Sequence, residues 1–114
     1  MGSNKIFFKE FAVKRLLEYD AFSHWNNVKV GTEVQLNWID CEEKIEVIMK
    51  VETQTNVLGV LPSEECDTIK KFLKMGHNVF IGTVTRKNDS GNYNDMLKVA
   101  IYISNNSAQN NKDC

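Results

Sequence analysis

The side chains of this chain that could act as metal ligands or nucleophiles are its histidines and cysteines. A structural zinc site needs four such ligands in paired spacing, such as Cys-x-x-Cys. His24, Cys41, Cys66 and His77 instead stand apart from one another in the sequence. Isolated residues of this kind favour structural roles over ligation. We therefore expect no metal site and no cofactor.

Cys66 is the strongest candidate nucleophile, because it stands near the start of a predicted helix, where the pKa of a thiol is lowered. The same cysteine shares an apolar stripe with Ile69 and Leu73, and the carboxylates within residues 64–67 oppose a thiolate. We interpret Cys66 as a buried packing residue. With no nucleophile–base pair visible, we expect a protein that is not an enzyme.

Two further segments could bind ions. A phosphate loop places several glycines before a helix, but LGVLPSEE (residues 58–65) has one glycine and carries acidic residues where a phosphate would bind. We interpret this segment as one that packs the helix into the β-domain. Any binding site is then expected elsewhere, around Tyr19 and residues 40–43. The acidic run DCEE at 40–43 lacks the spaced oxygen ligands of a calcium loop. It is typical of a solvated hairpin tip.

Aromatic and basic side chains are the remaining candidates, since single-stranded nucleic acid is bound by ring stacking and by lysines near phosphates. The candidates are the aromatic residues Tyr19, Phe22, Trp25, Trp38, Tyr93 and Tyr102 and the basic residues Lys44, Lys50, Arg86, Lys87 and Lys98. Composition alone favours core rings and solvated edge lysines. The residues we select as a nucleic-acid site are Tyr19, Trp25, Lys44 and Lys50.

Length and composition limit the class of protein. A chain of 114 residues with 42% hydrophobic and 25% charged residues predicts one globular domain. Its net charge of −1 excludes a global attraction to polyanions. No apolar run approaches the ~18 residues that span a bilayer, and MGSNKIFFKEF develops no secretory apolar region. Three unpaired cysteines argue against disulfides, so we expect a cytoplasmic protein without membrane partners.

Alternating apolar residues predict about six short strands. They cover residues 5–13, 31–39, 44–52, 56–61, 78–86 and 96–103. One helix is predicted at about 63–75, with Ser63 as its N-cap and Gly76 after its end. A second short helix is predicted within residues 14–27. The polar residues 105–114 predict a disordered tail after a domain at 1–104.

Two predicted hairpins and a single predicted helix indicate the fold class. Short connections at residues 40–43 and 87–95 favour antiparallel neighbours over a βαβ arrangement. The sequence therefore predicts a mainly β protein, a small antiparallel OB-like β-barrel of about six strands.

The order of these motifs resembles the HIRAN domain, a module fused to post-replication-repair helicases and also found as short bacterial proteins. The resemblance covers roughly residues 6–103. Its motifs are GTEVQL from Gly31, LGVLP from Leu58, and Leu73 and Gly76 ahead of the strand NVFIGTV. Upstream, the pair Tyr19–Asp20 and then Trp25 are similar to the opening of the family.

The resemblance implies a six-stranded OB-like barrel with helical insertions and binding of the free 3′ end of single-stranded DNA, in a DNA-repair setting. Two features differ from the family. WIDCEEKIEV lacks the family's asparagine–proline–tyrosine–aspartate turn, and Glu18 replaces an aromatic residue. A carboxylate cannot stack on a base and repels phosphate. A protein–protein interaction module that has lost DNA binding is therefore the alternative.

Overall fold

The computed structural model describes residues 5–90 and 92–104. Its six strands are β1 (Lys5–Ala12), β2 (Glu33–Ile39), β3 (Lys44–Val51), β4 (Gln54–Val60), β5 (Phe80–Lys87) and β6 (Leu97–Ser104). They form one antiparallel sheet in the order β1-β6-β5-β2-β3-β4. The predicted mainly β class with six antiparallel strands is confirmed. The predicted tail, residues 105–114, lies outside the described residues.

Strand β2 joins the two halves of the sheet. Its first residues pair with β5, as Glu33 with Thr83 and Val34 with Gly82. From Gln35 onward it pairs with β3 instead, up to Ile39 opposite Lys44. A Cβ atom on Gly82 would lie only 2.7 Å from the Val34 side chain, so glycine permits this close crossing.

The sheet curls around one apolar core because alternate residues of its strands face inward. The largest fully buried core side chains include Phe11, Leu16, Ile45, Leu58, Ile69, Leu97 and Ile101. The chain after β1 reaches the far edge strand β4 through a single bridge between Lys14 and Val60. Two backbone hydrogen bonds of 2.8 and 3.0 Å form this bridge. Among the described residues no continuous ladder joins β1 to β4, so the curled sheet is not closed into the predicted barrel.

The helix α1 (Asp67–Lys74) is preceded by a 3-10 turn at Ser63–Glu65. The predicted span of 63–75 therefore combines two elements, since Cys66 between them has non-helical backbone angles. Ser63 does not cap α1; its hydroxyl accepts a 2.6 Å hydrogen bond from Lys70. The predicted C-terminal glycine is confirmed, because Gly76 has a φ of +83° and donates to the Leu73 carbonyl at 3.0 Å.

Residues 14–27 contain two short 3-10 segments, Leu16–Glu18 and Phe22–Asn27, where the sequence predicts one short helix. Buried Leu16 and Ala21 anchor this region in the core. The Asp20 amide donates to the Val57 carbonyl at 2.9 Å, which places the first segment along the outer edge of β4. No helix in the described part of the chain is long and apolar enough to cross a membrane.

Candidate binding cleft

A cleft of about 430 Å³ opens where the Lys14–Val60 bridge meets the β2–β3 hairpin and the approach to α1. We call it the bridge cleft. Its lining residues are Lys14, Arg15, Glu42, Glu43, Lys44, Ile45, Val60, Leu61, Pro62, Ser63, Glu64, Cys66 and Lys70. Four of these side chains are basic and three are acidic. The cleft lining is therefore of mixed charge, with one more basic than acidic side chain, on a chain whose overall charge is −1.

The basic residues of the bridge cleft come from three parts of the chain. Lys14 lies in the bridge itself, and Arg15 follows in a left-handed conformation with a φ of 64°. Lys44 is the first residue of β3. Lys70 projects from α1 and donates a 2.6 Å hydrogen bond to Ser63. Lys14 and Arg15 are neighbours in the sequence, and tertiary structure brings this pair together with Lys44 and Lys70.

Two of these cations lie close to Tyr19. The Lys44 ammonium donates a 2.5 Å hydrogen bond to the Tyr19 hydroxyl and lies 5.1 Å from the centre of its ring. The Arg15 guanidinium carbon is 5.7 Å from the same ring centre. Half-buried Tyr19 thus places an aromatic ring beside two cations, an arrangement suited to a base and its phosphate.

Carboxylates neutralise both flanking cations in the free protein. Glu42 lies 2.9 Å from the Lys44 ammonium, and Glu18 lies 2.7 Å from the Arg15 guanidinium. Hydrogen bonding from Lys44 lowers the pKa of Glu42. Hydrogen bonding from Arg15 likewise lowers the pKa of Glu18. The hydrogen bond to Glu42 also raises the pKa of Lys44, so this lysine is charged at neutral pH.

The structure brings Tyr19 and Lys44 together and places the other two predicted site residues elsewhere. Trp25 packs against Phe22, with ring centres 5.0 Å apart, and its indole donates a 2.7 Å hydrogen bond to Asp89. Lys50 is exposed on β3 and lines a separate groove together with Glu33 and Gln35. The predicted set of four residues is therefore not one site.

Sequence reasoning missed Lys14, Arg15 and Lys70 as lining residues of a cleft. Only Arg15 carried a local signal, because Glu18 follows three residues later and pairs with it. Lys14 and Lys70 become lining residues of the cleft only through contacts between distant parts of the chain. The segment Leu58–Glu65, which the sequence assigned to packing alone, also supplies Val60, Leu61, Pro62, Ser63 and Glu64 to the cleft wall.

The lining residue Cys66 has no reactive geometry. Its side chain is 1% exposed, and burial raises the pKa of its thiol to about 12. A thiol with this pKa stays protonated at neutral pH and is a poor nucleophile. Within residues 5–90 and 92–104, no three His, Cys, Asp or Glu side chains are grouped to hold a metal ion. The cleft lining offers four cationic side chains for contact with an anion, and Tyr19, which contacts Lys44, is not itself a lining residue.

Comparison of the chain with protein-family profiles, with curated proteins and with solved structures finds no match. The class defined by the fold and the site is thus a single-sheet, mainly β domain with a mixed-charge cleft beside one aromatic ring.

Proposed function

We propose that this chain is a non-catalytic module that binds single-stranded DNA at the bridge cleft. The observation that carries the proposal is the position of the Tyr19 ring beside Arg15 and Lys44, both of which line the cleft. Stacking on one aromatic ring and charge contacts to the adjacent phosphate are the usual elements of sequence-tolerant single-strand binding.

The cleft volume supports a small segment of ligand. About 430 Å³ falls in the range of pockets that enclose one small molecule. A terminal nucleotide would place its base against Tyr19 and its phosphate near Lys44, Lys14 and Lys70. The resemblance to the HIRAN domain adds a preference for the 3′ end of the strand and a role in DNA repair inside the cell.

Fluorescence anisotropy with a labelled oligothymidylate of about ten nucleotides tests the proposal. We expect micromolar binding at low salt, with log K falling by about 0.7 per log unit of salt for each phosphate contacted. Strands with a free and a chemically blocked 3′ hydroxyl test the end preference. Absence of salt-sensitive binding even at high protein concentration would refute DNA binding.

Lys44→Gln with Lys50→Gln as its matched control localises the site. Both changes remove one positive charge from β3, but only Lys44 lines the bridge cleft. We expect Lys44→Gln to weaken binding about five- to tenfold and Lys50→Gln less than about twofold. Equal losses would show that DNA binds through general charge and not at the cleft.

A protein–protein interaction module is the second candidate, and exposed apolar residues on the edge strand β1 favour it. Ile6 and Phe7 are 69% and 56% exposed, and β1 has no second ladder partner among the described residues. An extended peptide could pair with this edge. Affinity capture with the wild-type chain and with Phe7→Lys tests this candidate. Loss of a captured partner from the variant, together with no DNA binding by the wild type, would favour it.

A further inference from the structure

The Glu42 carboxylate lies where a ligand phosphate would make its ion pair with Lys44. Glu42 and Lys44 are 2.9 Å apart, and both line the bridge cleft. Their exposures differ, since the Lys44 side chain is 16% exposed and the Glu42 side chain 58%. The side chain of Lys44 is thus mostly buried, while that of Glu42 is mostly exposed to solvent.

Lys44 is fixed by contacts that do not involve Glu42. Its backbone pairs with Ile39 across the hairpin, and its ammonium donates to the Tyr19 hydroxyl. A second carboxylate oxygen, from Glu46, lies 3.8 Å away, and Asn37 donates a 3.3 Å hydrogen bond to Glu46. Lys44 would therefore keep its position if Glu42 moved away.

Glu42 itself is on an exposed hairpin tip. Residues 40–43 are all exposed, and the tip is closed by long backbone hydrogen bonds of 3.3 Å from Glu42 and 3.2 Å from Glu43. Rotation of an exposed glutamate side chain needs no change in the core. The carboxylate can leave Lys44 at low cost.

We propose that Glu42 is a built-in competitor, which occupies the phosphate position on Lys44 in the free protein and is displaced when the strand binds. This inference rests on the proposed DNA-binding function. Exchange of one anion for another keeps the partly buried ammonium of Lys44 compensated throughout. Glu42 then selects for ligands whose own anion reaches Lys44, since an uncharged ligand cannot replace the carboxylate.

Glu42→Gln tests the competition, with Glu43→Gln as the matched control. Both glutamates line the cleft from the same hairpin tip. Each variant removes one negative charge from that tip. No ion pair or side-chain hydrogen bond of Glu43 is found in the described part of the chain. The probe is the labelled oligothymidylate of about ten nucleotides, and thermal unfolding verifies that each variant is folded.

We expect Glu42→Gln to bind the oligonucleotide about three- to tenfold more tightly and Glu43→Gln less than about twofold more tightly. On a Lys44→Gln background, Glu42→Gln should no longer increase the affinity for the oligonucleotide, because the ammonium group for which Glu42 and phosphate compete is absent. Equal gains from the two single variants would overturn the competition and leave DNA binding intact. No binding by the wild type or any variant would overturn both proposals.

Discussion

The backbone of Gly59 lies directly against the carbonyl oxygen of Lys14. A Cβ atom at position 59 would overlap that oxygen and would lie 2.7 Å from the Val13 side chain. Gly59 therefore permits the chain after β1 to form its bridge with β4. The same bridge places Lys14 and Arg15 in the bridge cleft, so one glycine links the packing of the sheet to the candidate site.

Gly59→Ala should destabilise the fold by about 2 to 3 kcal/mol, because the methyl group is forced against backbone and buried side chain. Urea unfolding monitored by circular dichroism measures the loss. Thr55→Ala, on an exposed position of the same strand, is the control and should cost less than about 1 kcal/mol. If Gly59→Ala were as stable as the control, the Lys14 backbone would be able to move away from position 59 without a loss of stability.

Tyr19→Ala and Tyr19→Phe should separate stacking from the hydrogen bond to Lys44. The alanine variant loses the ring, and we expect oligothymidylate affinity to fall about five- to a hundredfold. The phenylalanine variant keeps the ring and loses only the acceptor of the 2.5 Å hydrogen bond, so its affinity should change less than about fivefold. Anisotropy titrations at fixed salt compare them. Equal losses would contradict stacking on Tyr19.

Cys66 should resist thiol reagents in the native protein, because burial raises the pKa of its thiol to about 12. Exposed Cys41 supplies an internal comparison. Iodoacetamide treatment at mildly alkaline pH followed by peptide mass spectrometry should show modification of Cys41 and protection of Cys66. Both should react in denaturant. Equal native labelling of the two residues would contradict the burial of Cys66.

The raised pKa of the Cys66 thiol also predicts how the stability of the fold depends on pH in the alkaline range. The unfolded thiol ionises near its ordinary pKa of 9.0, while the folded thiol remains protonated up to about 12. The contribution of Cys66 is therefore complete below pH 9.0 and is lost as pH rises towards 12, by at most about 1.4 kcal/mol per pH unit. Chemical unfolding of the wild type and of Cys66→Ala should show a stability difference that shrinks above this point. A constant difference would contradict the shift.

The indole of Trp25 should depend on Asp89 for its position. Its 2.7 Å hydrogen bond joins the 3-10 segment Phe22–Asn27 to the connection after β5. Asp89→Ala should lower stability by about 1 kcal/mol and shift the tryptophan emission maximum. DNA binding at the bridge cleft should be unchanged, since Trp25 packs with Phe22 away from the lining residues. A large loss of DNA affinity would place Trp25 in the site after all.

The strands and the end of the helix were predictable because their signals are local. Alternation in KIEVIMKV predicted the buried face of Ile45, Val47 and Met49. Gly76 marked the end of α1 because a left-handed position favours glycine. The start of the helix was less predictable, since Ser63 formed a hydrogen bond with Lys70 and left Cys66 at the N-terminal boundary of α1.

Sequence by itself determined the strand pattern, the antiparallel hairpins and the burial of Cys66, because residue periodicity and turn residues act over a few neighbours. Only the tertiary structure decided which charged groups from distant parts of the chain meet. Lys14, Lys44 and Lys70 are far apart in the chain, and the curl of the sheet brings them into one cleft. The same curl pairs Tyr19 with Lys44 and leaves Trp25 and Lys50 apart. Contacts between distant segments depend on the whole core, which no local pattern specifies.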